Sequence, residues 1–330
     1  MKILLVKTSS MGDILHTLPA LTDALSFFPQ IQVDWVVEEN FAQIPSWHKT
    51  IRRVIPIALR RWRKSWFAKE TREERFKFLA AIKSEQYDLI IDAQGLIKSA
   101  LFVVRHARGT KHGYSFKSAR EGLASFFYDK RHTVATDLHA VERIRMLFAQ
   151  SLGYQLPISV GNYDIASYFQ DRHSAVEASN LSGEAEKNTY LIFLHSTTRD
   201  EKHWPENHWL ELIRLIAPLN YKIKLPWGTD KEKQRAERLA EDFDFIEVLP
   251  KLNLYEVANE IAHCKAVISV DTGLSHLTAA LSKHNITLYG PTDPNLIGGY
   301  GINQNALTSP TGQMKDILPL DVFEKLKLLN

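Results

Sequence analysis

Short apolar runs alternate along the chain with stretches of helical periodicity. Ile3–Val6, Val33–Val37 and Leu89–Ile91 read as buried strands in the first half, and Tyr190–Leu194, Ile223–Leu225, Ile246–Leu249, Val267–Val270 and Ile286–Tyr289 in the second. Segments such as His208–Leu219 and Leu254–His263 lie between them with helical spacing. This rhythm predicts βαβ units and parallel sheets. The periodicity lapses over residues 153–188, which collect Gly153, Gly161, Asn162, Ser182, Gly183 and Asn188, the composition of a connecting region. The expected class is α/β, with two Rossmann-like doubly wound parallel-sheet domains at 1–155 and 189–330 joined by 156–188. A length of 330 residues agrees, because single cores stop growing near roughly 250 residues. Leu320–Leu329 has helical spacing and is expected to form a C-terminal helix that packs back on the first domain.

Composition narrows the class. With 45% hydrophobic and 24% charged residues, 15 Gly and 13 Pro, the chain is neither collagen-like, mucin-like nor disordered. No run approaches the roughly 18 apolar residues of a spanning helix, and the opening MKILLVKTSSMGD reads as a short strand rather than a signal-peptide core. A cytoplasmic location is the expectation. The single cysteine, Cys264, excludes an intramolecular disulfide and a multi-cysteine metal site.

Charge is divided unevenly. Residues 1–150 hold 24 Lys and Arg against 15 Asp and Glu, a net +9, while residues 151–330 hold 17 against 23, a net −6. Either the first half meets an anionic ligand that the second does not, or the surface charge is simply uneven.

In open parallel sheets ligands bind beyond the carboxyl ends of the strands, so the loops there are the candidates. The first strand is followed by Lys7-Thr8-Ser9-Ser10-Met11-Gly12-Asp13-Ile14-Leu15-His16, which puts Asp13 in the first turn of a helix. Its carboxylate is a candidate general base or a helix-dipole partner. The loop has neither GxGxxG nor GxxxxGK[ST], so neither standard phosphate loop is supported. In the second half, Ser269-Val270-Asp271-Thr272-Gly273-Leu274-Ser275-His276-Leu277 runs from strand to helix. The helix N-terminus suits a diphosphate, or Asp271, Thr272 or Ser275 merely caps it. Polar clusters also follow strands at His195–Trp204, Pro226-Trp227-Gly228 and Tyr289–Pro294, and Lys202 is a possible phosphate counter-charge or a solvated lysine. Arg60-Arg61-Trp62-Arg63-Lys64-Ser65-Trp66, preceded by Arg52 and Arg53, reads as a polyanion or membrane-interface site, or as a basic face with the tryptophans in the core.

The segments KTSSMGDILHTLPALTDA, PSWH, RRWRKSW, DAQGLIKSA, HAVER, TTRDEKHWPENHW, VDTGLSHLTAA and YGPTDPNLIGGYG together resemble the heptosyltransferases of glycosyltransferase family 9. Stretches 154–188 and 303–330 contribute nothing to the likeness. The resemblance implies a GT-B type enzyme whose two domains face each other across a cleft. It implies inverting transfer of L-glycero-D-manno-heptose from ADP-L-glycero-D-manno-heptose to the first Kdo of Kdo-lipid A, with no metal and no cofactor. The position matching Asp13 is the family's general base. Thr197, Thr198, Lys202, Thr272, Gly273 and His276 match its donor-phosphate positions, Asp271 a residue that holds heptose hydroxyls, and Glu232 a carboxylate that meets the donor ribose. Arg60, Arg61, Arg63, Lys64, Lys98, Arg120 and His139 match positions that meet the Kdo carboxylates and lipid A phosphates. Implied with these are peripheral association with the cytoplasmic face of the inner membrane and no nucleic-acid partner.

Rivals of three kinds stand beside this reading. A family 9 heptosyltransferase acting later in the core, or a sugar-nucleotide epimerase, would share the fold, although a reaction with one substrate gives no reason for RRWRKSW. A non-catalytic polyanion-binding protein would keep the basic segment and lack a nucleotide site. A nicotinamide-dependent oxidoreductase fits the rhythm and lacks the glycine fingerprint.

Overall fold

Two parallel six-stranded sheets carry the chain in a computed structural model that describes residues 1–170 and 190–329. The chain divides after Asp164 into two units. The break falls inside the stretch read as a connector, of which residues 171–188 lie outside the described residues.

The first unit contains β1 (Lys2–Val6), β2 (Gln32–Glu38), β3 (Ile51–Ile57), β4 (Gln86–Asp92), β5 (Arg108–Tyr114) and β6 (Lys130–His132), in the order β3-β2-β1-β4-β5-β6. Ile3 is opposite both Val33 and Leu89, and Val6 opposite Val36 and Asp92, so the central strand has a neighbour on each side. Leu4, Leu5 and Val6 are wholly buried, as a strand covered by helices on both faces requires.

The second unit contains β7 (Tyr190–Leu194), β8 (Lys222–Leu225), β9 (Ile246–Val248), β10 (Ala266–Val270), β11 (His284–Tyr289) and β12 (Gln304–Thr308), ordered β12-β11-β10-β7-β8-β9. Numbered from its own first strand, it has the same doubly wound order as the first sheet. In each, strand order reverses beside the first strand, between β1 and β4 and between β7 and β10, the places where such sheets bind ligands.

The eight strands read from apolar runs are present, and four more flank them. β3 carries Arg52, Arg53 and Pro56 within IRRVIPI, which interrupts the apolar signal. Pro56 lacks an N–H and is tolerated because β3 is an edge strand. β5 (RGTKHGY), β6 (KRH) and β12 (QNALT) are polar because they lie at or next to a sheet edge, where one face or one side meets solvent. The second core gathers Phe193, Trp204 and Trp209 from β7 and the region after it. The C-terminal helix, Pro319–Lys327, packs against helix Glu206–Ile216 and adds Val322 and Leu326 to this core. Cys264 ends helix Leu254–His263, fully buried, and burial raises its thiol to about 12. Among the described residues, no helix is long and apolar enough to cross a membrane.

Candidate functional site

In the first unit the loop after β1 is pinned to the loop after β4. Thr8 N–H, Thr8 Oγ1 and Ser9 N–H all donate to Gln94 Oε1, at 2.8, 3.1 and 3.2 Å. The β4 loop is in turn fixed by buried Asp92, whose Oδ1 accepts the N–H groups of Gln94 and Gly95 and whose Oδ2 accepts Tyr128 OH and Ser99 Oγ. Gly95 has φ +62, and a Cβ there would meet the Tyr114 ring at 3.3 Å and Arg120 N at 3.4 Å, so a larger residue would strain the turn. The two loops thus form a rigid floor at the first switch point.

Asp13 stands on that floor, in helix Met11–Leu15. Its Oδ2 accepts Ser10 N–H at 2.8 Å and Ser10 Oγ at 3.0 Å, and its Oδ1 lies 3.3 Å from Lys7 Nζ. The Asp13 side chain is 33% exposed, whereas that of Lys7 is only 8% exposed. Lys7 Nζ also donates to Ala93 O, and Lys7 O accepts the Trp35 indole N–H, so neither end of Lys7 is free to swing. Burial pushes the Asp13 carboxyl up, but the Lys7 charge and the Ser10 hydrogen bonds outweigh it and hold the pKa below the ordinary aspartate value. The helix-start role of Asp13 is therefore realised, and it leaves an ionised, partly open carboxylate at the switch point.

His139 caps helix Ala140–Leu152, its Nδ1 accepting Val141 N–H, and its ring stands edge-on to His16, with centroids 5.5 Å apart, one turn beyond Asp13. Lys98 lies exposed on helix Ile97–Phe102, whose first N–H donates to Glu121 Oε2, while Glu121 N–H donates to Gly95 O. Arg120 and Lys98 are thereby carried by the same pair of loops.

The basic segment forms the short helix Leu59–Trp62 and the turn after it. Glu38 ties it to the β1 loop, since its N–H donates to Thr8 O and its Oε1 accepts Arg60 N–H at 2.8 Å. The four cations are not equivalent. Arg61 is bound by Glu39 at 3.0 Å and Glu74 at 2.9 Å, whereas Arg63 and Lys64 are exposed and have no ion pair among the described residues. Arg60 stands 5.9 Å from the Phe41 ring centroid. Trp62 is buried and donates to Glu74 Oε2, and Trp66 is covered by the Arg75 guanidinium 3.5 Å from its ring, so neither indole is a bare stacking surface. Arg52 and Arg53 do not belong to the cluster: both bind buried Asp34, near the start of β3.

In the second unit, Thr197, Lys202 and Asp271 meet at the switch point between β7 and β10. Lys202 Nζ donates to Asp271 Oδ2 at 2.6 Å with both side chains largely buried, and Thr197 Oγ1 donates to Asp271 O at 3.1 Å. His203 Nε2 accepts Thr197 N–H at 3.2 Å and fixes that loop. Thr272 is the N-cap of helix Gly273–Ala280 and its hydroxyl makes no capping bond, while Ser275 Oγ donates to Thr272 O. Ser275 N–H also donates to Thr272 O, so the N–H groups of Gly273 and Leu274 and the positive dipole end are what the helix offers to an anion. His276 lies in the first turn, 8% exposed. Thr198 is exposed beside Thr197. Glu232 stands apart, after β8, where its Oε2 accepts Gly228 and Thr229 N–H in a capping box.

Three residues that order the site carried no role in the sequence reading: Lys7, Gln94 and His203. Each lies in a motif quoted above, next to a strand's carboxyl end, and the signal that marks it is position alone. Among the described residues, no group of three or more His, Cys, Asp and Glu side chains is placed to hold a metal ion.

The family model for glycosyltransferase family 9 (heptosyltransferase) matches residues 75–327. A lipopolysaccharide heptosyltransferase 1 of Salmonella typhimurium is 56% identical over 326 residues, covering 99% of this chain and all of the relative. The solved structure of E. coli heptosyltransferase WaaC with ADP superposes with a TM-score of 0.94 at 53% identity, covering 100% of both chains. That of the same enzyme with ADP-2-deoxy-2-fluoro heptose gives 0.91 at 52% identity, again covering 100% of both chains.

Proposed function

The chain belongs to glycosyltransferase family 9, the heptosyltransferases, and from that premise we propose that it transfers L-glycero-D-manno-heptose from ADP-heptose to the first Kdo of Kdo-lipid A, with inversion and with Asp13 as general base. The observation that carries the reading is the full-length identity to a lipopolysaccharide heptosyltransferase 1, together with an ionised Asp13 at one switch point and an anion-ready helix end at the other.

The chemistry follows from those groups. Asp13, held ionised by Lys7 and Ser10, takes the proton of the attacking Kdo hydroxyl as the new C–O bond forms at the anomeric carbon. The bond to the ADP phosphate breaks on the opposite side, which inverts the centre. Charge developing on ADP is met by Thr198, Lys202, His276 and the N–H groups of Gly273 and Leu274 after Thr272, while Thr197, whose hydroxyl and N–H are given to Asp271 O and His203 Nε2, holds the loop in place. Asp271 is kept from repelling the diphosphate by Lys202 and is free to accept heptose hydroxyls through its other oxygen. Glu232 meets the ribose. Arg60, Arg63, Lys64, Lys98, Arg120 and His139 receive the acidic acceptor, with Arg61 holding the segment's shape through Glu39 and Glu74. The acceptor's lipid places the enzyme on the cytoplasmic face of the inner membrane.

The test is ADP release from ADP-heptose by the purified protein. The proposal expects release only when Kdo-lipid A is present, with a product heavier by one heptose. Release independent of acceptor, or transfer only to a core already carrying heptose, would overturn it.

A further inference from the structure

A second feature of the first unit is used neither by its core nor by the candidate site. Phe116, Leu123 and Phe126 are 56, 55 and 66% exposed although all three are large and apolar. They form one patch: the Phe116 and Phe126 rings meet edge to face with centroids 6.3 Å apart. Gly122 lets the chain close on Phe116, since a Cβ there would come within 2.8 Å of Phe116 O and 3.0 Å of its ring. The 3₁₀ turn Gly122–Phe127 then buries Ala124 and Ser125 and leaves Leu123 and Phe126 outward.

The rim of the patch is cationic. Lys117, Arg120, Lys130 and Arg131 are all exposed, and the Arg131 guanidinium lies 5.8 Å from the Phe126 ring centroid. Two exposed acids, Glu121 and Asp129, lie in the same stretch and keep their charge although each accepts a backbone N–H, so residues 116–131 carry four cations against two acids. Contiguous exposed aromatic surface marks an interaction site, and an apolar centre ringed by Lys and Arg matches the two signals by which a protein binds an anionic bilayer reversibly. A second copy of the chain is the poorer occupant, because an isologous contact would press two such cationic rims together.

We propose that Phe116, Leu123 and Phe126 are the membrane-docking surface of this protein, entering the interfacial region of an anionic bilayer while Lys117, Lys130 and Arg131 engage headgroup phosphates. This deepens the reading of a lipid-borne acceptor and rests on it only for its purpose. Arg120 adjoins both the patch and Gly95 on the β4 loop, so docking through the patch holds the acceptor-side loops at the lipid surface.

The experiment is co-sedimentation of the full chain with vesicles of phosphatidylglycerol and phosphatidylethanolamine, with pure phosphatidylcholine vesicles as control. The parent should bind the first, release with added salt, and ignore the second. Phe116→Ser, Leu123→Ser and Phe126→Ser together should weaken partition by about tenfold or more, from the lost apolar burial. Melting temperature, oligomeric state and turnover on a deacylated, water-soluble Kdo acceptor should be unchanged. Lys117→Gln, Lys130→Gln and Arg131→Gln together should abolish the preference for phosphatidylglycerol, a second reading should the first variant misfold. Undiminished partition of the serine variant, or no binding by the parent, overturns the proposal. So does a change in oligomeric state at constant partition, which would assign the patch to self-association. Vesicle binding is read without turnover, so an inactive parent would count against the assigned reaction alone.

Discussion

Lys7 Nζ and Asp13 Oδ1 lie 3.3 Å apart at the carboxyl end of the first strand, and they are unequally buried. The lysine is held by Ala93 O and by the fold around Trp35, while the carboxylate is one-third open. A fixed cation beside a partly open carboxylate keeps the latter ionised, and with Ser10 on Oδ2 and Lys7 alone on Oδ1 a lone pair of Oδ1 is left to take a sugar hydroxyl's proton.

The first prediction concerns this pair. Lys7 lowers the Asp13 pKa, so Lys7→Met should raise it and move the acid limb of the kcat/KM profile to higher pH. A pH–rate profile of the variant checks the sign. An acid limb that stays in place or moves down would mean that the limb belongs to another group.

The second concerns Lys202 and Asp271, a largely buried pair 2.6 Å apart. Lys202→Met leaves Asp271 an uncompensated charge beside the diphosphate, and ADP affinity should fall by about 10–100-fold, the worth of a charge-assisted contact. Adding Asp271→Asn should restore part of that loss, because it removes the repulsion. Calorimetric titration with ADP reads both. Strictly additive losses would indicate that the two residues act on the nucleotide independently.

The third separates the cations of RRWRKSW. Arg63→Ala with Lys64→Ala should raise the acceptor KM and flatten its salt dependence, leaving the donor KM unchanged, since exposed charges act over about 8–10 Å at ordinary ionic strength. Arg61→Ala should change acceptor KM less, because its charge is already met by Glu39 and Glu74. Steady-state kinetics with each substrate varied in turn decides. An equal rise in donor KM would point to a structural role for the segment.

The fourth is that EDTA leaves turnover intact. Lys202 and the helix N-terminus after Thr272 supply the positive potential that a divalent ion would otherwise provide. Activity that disappears with EDTA and returns with magnesium would contradict this.

Much of the architecture was legible because both faces of a central parallel strand are buried, and uninterrupted runs such as Ile3–Val6 and Tyr190–Leu194 follow from that. Of the edge strands β9 was legible, as Ile246–Leu249, but β3, β6 and β12 were not, because β3 mixes arginine and proline into its run, and β6 and β12 carry few apolar residues. The loops that build the site were legible from their position after strands. Their internal wiring was not: RRWRKSW reads as four equal cations, and only the fold brings Glu39 and Glu74 to Arg61 across 22 and 13 positions of sequence. Lys7 illustrates the same limit, since nothing local separates a buried positioning lysine from a solvated one.

The central claim, that Asp13 is the base, is tested most directly by Asp13→Asn. Asparagine keeps an acceptor oxygen for Ser10 N–H and so preserves the helix start, while it removes the basicity. Turnover of ADP-heptose with Kdo-lipid A and affinity for ADP should be measured on the same preparation. The account predicts turnover reduced by about 10²–10⁴ with ADP affinity unchanged. Turnover within a factor of a few of the parent would leave Asp13 as a helix-capping carboxylate and place the base elsewhere.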